Sequence, residues 1–94
     1  MKIVWTPRAV KHLAALHQYI ASDDPKAAES VAARILDGVE RLVEQPGSGR
    51  PGRSPGTREL VIPSTPYIIP YRVRGERLEL IAIFHGRQKW PKQL

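Results

Sequence analysis

A chain of 94 residues with no cysteine and a formal charge of +6 sets narrow limits. The length predicts one domain with a small core, and the missing cysteine excludes disulfides, thiolate chemistry and cysteine-based zinc sites. No apolar run is long enough for a bilayer span, and the opening MKIVWTPRAV lacks the apolar core of a signal peptide, so the expectation is a cytoplasmic protein with no membrane partner.

Lys2–Trp5 (KIVW) is short and β-prone, and reads as a first strand. Thr6-Pro7 then opens a helix, with threonine as cap and proline at the first helical position, where a missing N–H costs nothing. Its expected buried stripe is Val10, Leu13, Leu16 or His17, and Ile20, ending near Ala21–Asp23. Asp24-Pro25 repeats the device. Ala28, Val31, Ala32, Ile35, Val39, Leu42 and Val43 form the apolar stripe of this second helix, and Asp37 and Arg41 sit at i,i+4 on its polar side. So short a connection implies an antiparallel helical hairpin, a scaffold with no evident chemistry.

Pro46 stops the second helix. In the following PGSGRPGRSPG (residues 46–56) seven of eleven residues are Pro or Gly, which predicts a loop whose charged side chains are Arg50 and Arg53. Three strands are expected beyond it: Thr57–Ile62, Tyr67–Val73 and Arg77–Phe84, the last two joined by a tight turn at Arg74-Gly75-Glu76. Pro70 cannot donate to a ladder, so a bulge or an edge-facing position is expected there. The order β-α-α-β-β-β predicts an α+β fold, with the helical hairpin packed on a largely antiparallel sheet.

Charge divides the chain sharply. Residues 1–45 balance six Lys/Arg against six Asp/Glu, whereas residues 46–94 carry nine against three, so the second half holds the entire excess. Seven of those nine cations are arginine, the side chain suited to bidentate phosphate contacts. A solvated basic surface would account for the run, and a polyanionic partner, either nucleic acid or an acidic protein, accounts for its asymmetry.

No phosphate loop, dinucleotide fingerprint, nucleophile elbow or metal-ligand spacing is present, so no cofactor and no metal site is expected. His12 and His17, five apart on the first helix, are wrongly spaced to share a metal. His85 ends the last strand among basic residues, where a histidine suits acid/base work on RNA or simply bonds the backbone. Arg58 can approach His85 under a suitable strand offset, and could then hold a scissile phosphate or stabilise a pentacoordinate transition state; a plain salt bridge is the alternative. Glu59 points to the other sheet face from Arg58. Arg87 and Lys89 in the tail, with Arg50, Arg53 and Arg72, are candidate phosphate contacts. Trp90 either stacks on a base or covers a sheet edge.

Several segments together resemble the RelE/ParE superfamily of toxins: Thr6-Pro7-Arg8-Ala9 after the first strand, Asp24-Pro25, Gly49-Arg50-Pro51-Gly52, Gly56-Thr57-Arg58-Glu59-Leu60, Tyr67-Ile68-Ile69-Pro70-Tyr71-Arg72-Val73 and Phe84-His85-Gly86-Arg87. The resemblance spans nearly the whole chain. It implies a microbial RNase-like fold and a cognate antitoxin, a small DNA-binding protein, as partner. RelE-like members cut mRNA on the ribosome without a metal, and ParE-like members poison DNA gyrase. The first reading would make His85, Arg58 and Arg87 catalytic and is placed first. Ile68, where a RelE-like pattern has arginine, and a tail without tyrosine both favour the second. A third reading is a basic antitoxin-binding protein without catalysis.

Overall fold

The computed structural model describes residues 1–94. Strand β1 (Lys2–Trp5) leads into helices α1 (Pro7–Ala21) and α2 (Pro25–Glu44), followed by β2 (Arg50–Pro51), β3 (Arg58–Val61), β4 (Tyr67–Arg74), β5 (Arg77–Leu80) and β6 (Phe84–His85). The sheet order is β1-β5-β4-β3-β2, with β6 also pairing β4. Only β1 and β5 run parallel; all other pairs are antiparallel.

Both helix starts form as the cap residues dictate. The Thr6 hydroxyl accepts from Ala9 N and donates to Leu80 O at 2.8 Å, which also ties the start of α1 to the sheet. Asp24 accepts from Ala27 N at 3.1 Å. Gly75 alone in the β4–β5 turn has positive φ, the pattern of a hairpin turn with glycine at its first central position.

Alternation along the strands gives each sheet face its character. Leu60, Ile62, Ile69, Tyr71, Leu78 and Leu80 face the helices and pack with Ala9, Leu16, Ile35, Val39 and Leu42. Glu59, Arg72 and Glu79 therefore face away. At Gly38 an added Cβ would sit 3.1 Å from Ile62, which marks where α2 presses closest on β3. No helix is long and apolar enough to cross a membrane.

Three details depart from expectation. The strand predicted over Arg77–Phe84 is split: Tyr71 pairs with Leu80 but Ile68 with Phe84, so one extra residue is inserted opposite Ile69 and Pro70. Pro70 O accepts from Ile81 N at 2.9 Å, so its missing N–H falls on this same side, and the ladder is interrupted where the donor is lacking. The loop over residues 46–56 contains the short strand β2. The α1 stripe holds at Leu13, Leu16 and Ile20, but at its start Ala9, not Val10, is buried, and on α2 Val43 stays exposed.

Candidate functional site

The predicted site residues fall into three groups, and the sheet keeps them apart. Arg58 pairs across from Tyr71 on one flank of β4, while His85 pairs across from Tyr67 on the other. Four residues along the strand and two strand spacings across place them roughly 16 Å apart. His85 and Arg87 lie together, but the offset that would bring Arg58 to them does not occur. Arg58 instead donates to Gly49 O at 2.9 Å, holding the loop that follows α2.

Arg50, Arg53 and Arg72 are committed to carboxylates on the helix-free face. Glu59, only 2% exposed, is the centre of the first group. Arg50 donates to its Oε1 through Nε and Nη2, at 3.1 and 2.9 Å. The backbone N–H of Arg53 donates to Oε2 at 3.0 Å, and its side chain lies 3.5 Å from the same oxygen. Burial of a carboxylate is offset when donors such as these replace its water. The Arg53 guanidinium also stacks 3.6 Å over Trp90, and Trp90 packs on Phe84 at 4.8 Å. Of its two expected roles, Trp90 here takes packing.

Glu79 is the centre of the second group. Arg72 donates to it at 2.8 Å, and Arg74 and Arg77 each approach within 3.8 Å. The Arg72 hydrogen bond, reinforced by the three positive charges, holds this carboxyl below its ordinary value. Only the register shows that each of these glutamates is a lone acid surrounded by arginines.

The third group surrounds a cleft between α1 and the β4–β6 corner. It encloses about 430 Å³ and is lined by His12, Ala15, Leu16, Tyr19, Tyr67, Ile83, His85 and Gln88. Tyr67 meets the His85 ring edge-on at 5.8 Å. Both imidazoles are held by main-chain donors: His12 Nδ1 accepts from Ile83 N at 3.1 Å, and His85 Nδ1 accepts from Arg87 N at 3.0 Å. That occupies each Nδ1 lone pair and puts the ring proton on Nε2, so each ring is a donor at its free nitrogen. Burial, then the charge of Arg8, holds His12 below its ordinary value. Burial, with Tyr19 nearby, pushes the Tyr67 hydroxyl up. His12 was set aside in the sequence because its spacing from His17 excludes a metal. Its long-range bond to Ile83 is invisible at that level.

None of the ion pairs in the chain involves Arg8, Lys11, Arg87 or Lys89. The available positive charge therefore differs from the count made on the sequence. It lies partly on α1, in the half that appeared electrically neutral.

Residues 3–90 match the family model described as ParE toxin of type II toxin–antitoxin system, parDE. The chain is similar to the candidate toxin Y4kP of Sinorhizobium fredii, 48% identical over 99% of this chain and 96% of that protein. It is also similar to Toxin RelE2 of Caulobacter vibrioides, 33% identical over 90% of this chain and 94% of that one. Among solved structures it resembles a chain of the chromosomal ParDE toxin–antitoxin system of P. aeruginosa, with a TM-score of 0.82 and 30% identity over 90% of this chain and 95% of that one.

Proposed function

The chain belongs to the ParE toxin family of type II toxin–antitoxin systems, and from that premise we propose that it arrests growth by binding DNA gyrase rather than by cutting RNA. One observation carries this reading. His85, the residue that RNA cleavage would ask to accept a proton, has its Nδ1 lone pair engaged by Arg87 N. Its Nε2 carries the ring hydrogen, so no lone pair is free to act as a general base. Two further facts support it: Arg58 lies on the far flank of β4, and Arg50, Arg53 and Arg72 are paired with Glu59 and Glu79.

The relatives named RelE keep ribosome-dependent mRNA cleavage as the second reading. It requires the His85 ring to leave Arg87 N when the target binds. A supercoiling assay with purified gyrase and increasing toxin tests the first reading. Supercoiling should fall with stoichiometric toxin and be restored by the antitoxin. Unchanged supercoiling by a toxin that still arrests growth contradicts it.

Family membership implies an antitoxin partner, and the hairpin offers it a surface. Val10, Leu13, Ala14, His17 and Ala32 line a shallow groove between α1 and α2, and Leu36 on α2 is 48% exposed. An amphipathic antitoxin helix laid along this groove, continuing to the sheet edge, fits these apolar positions. A complex leaving Val10 and Leu36 in solvent would contradict the placement.

A further inference from the structure

Beyond the fixed orientation of His85, the cleft between α1 and β6 plays no part in the gyrase reading, and the antitoxin groove uses a different side of α1. Groove residues are Val10, Ala14 and His17; cleft residues are His12, Ala15 and Tyr19. Arg8, one turn before His12, extends the cleft stripe, and its charge is felt at the His12 ring. From Arg8 to Tyr19 the stripe runs about 16 Å along the helix, at ~1.5 Å per residue.

The unengaged nitrogens of this cleft are donors, beside the hydroxyls of Tyr19 and Tyr67. His12 and His85 present Nε2–H, as their Nδ1 bonds require. Gln88 accepts from His85 N through Oε1 at 2.7 Å, which leaves its NH₂ as the unengaged end. No aspartate or glutamate lines the cleft, and Arg8, one turn before His12, and Arg87 and Lys89, on either side of Gln88 in the chain, form no ion pair. Tyr19 is 80% exposed, an aromatic ring offered largely to solvent. Donors, unpaired cations and an open aromatic ring form the combination that holds single-stranded nucleic acid, through phosphate contacts and base stacking. An acidic peptide would use the donors and cations but gives the Tyr19 ring no planar partner.

We propose that the α1–β6 cleft binds a short single-stranded stretch of nucleic acid, with a base stacked on Tyr19 and phosphate oxygens held by Arg8 and the Nε2–H groups of His12 and His85. This contact does not depend on which macromolecule the toxin inhibits, and it uses other residues than the sheet arginines.

The test is fluorescence anisotropy with a labelled mixed-sequence hexanucleotide, single-stranded and as a duplex, added to the full chain at low salt. The single strand should bind more tightly than the duplex. Tyr19→Ala should weaken binding roughly 5- to 150-fold, the range for loss of one stacked base. Arg8→Ala should weaken it and flatten the salt dependence by roughly 0.7 in the log–log slope, as for one lost phosphate contact. Arg77→Ala, on the opposite face, should leave it unchanged. Tyr19 is exposed enough that its replacement spares the fold, and an NMR titration that moves the His12 and His85 ring signals of the wild-type chain gives an independent readout. The proposal is overturned by any of three results: no binding of the single strand, equal losses in Arg77→Ala and Arg8→Ala, or displacement of the oligonucleotide by a hexaglutamate peptide at equal concentration.

Discussion

On the helix-free face of the sheet, five arginines share two carboxylates; around the α1–β6 cleft, Arg8 and Arg87 have none. The same side chain serves opposite purposes in the two regions. Glu59 and its arginines are internal structure, fixing the loop after α2 against β3 and, through Arg53 and Trp90, the C-terminal tail. The cleft holds its histidines by main-chain bonds, which leaves their outer nitrogens available. Net charge counted along a chain measures neither; what matters is which cations lack a nearby acid.

The contrast breaks most easily at Glu59. Glu59→Ala removes the common acceptor of Arg50, Arg53 N and the Arg53 side chain, and should cost about 3 kcal/mol in urea unfolding. A loss under 0.5 kcal/mol would mean these arginines are free after all. Tyr71→Phe is the next largest. The buried Tyr71 hydroxyl donates to Pro46 O at 2.7 Å and accepts from Gly49 N at 2.9 Å, so its removal should cost about 1–3 kcal/mol.

Acid sharpens the comparison, because one titrating group lies in each region. His12 is held below 6.5 and Glu79 below 4.5 in the folded chain. In both cases the unfolded chain binds the proton more readily, so stability is lost as pH falls. The His12 contribution fades below about 6.5 and the Glu79 contribution below about 4.5. Glu79→Gln should flatten only the lower limb of a stability–pH curve, and His12→Asn only the upper. At the small end, Arg87→Ala and Lys89→Ala should shift stability by less than about 0.5 kcal/mol, since neither forms an ion pair.

How far the sequence reached follows from what each signal depends on. Thr6-Pro7 and Asp24-Pro25 are local devices, and both helices start where they place them. Pro70 announced a disrupted ladder, yet not that the extra residue would be taken up by the partner strand near Ile83. The first position of the α1 stripe falls on Ala9 rather than Val10, because alanine carries little weight in a periodicity count. The site was the least legible part. Arg58 and His85 are both strand residues near arginines, and only the register of β3 and β6 against β4 shows that they flank opposite sides of it. Glu59 and Glu79 looked like minor acids among cations, although one is the buried anchor of its loop.

The gyrase reading rests on His85 being a fixed donor and not a base. Primer extension on a ribosome-bound mRNA, with toxin added in stoichiometric amount, tests this most directly. Intact message at every codon is the expected result. New 3′ ends that appear with the wild-type chain and vanish in His85→Ala would contradict it.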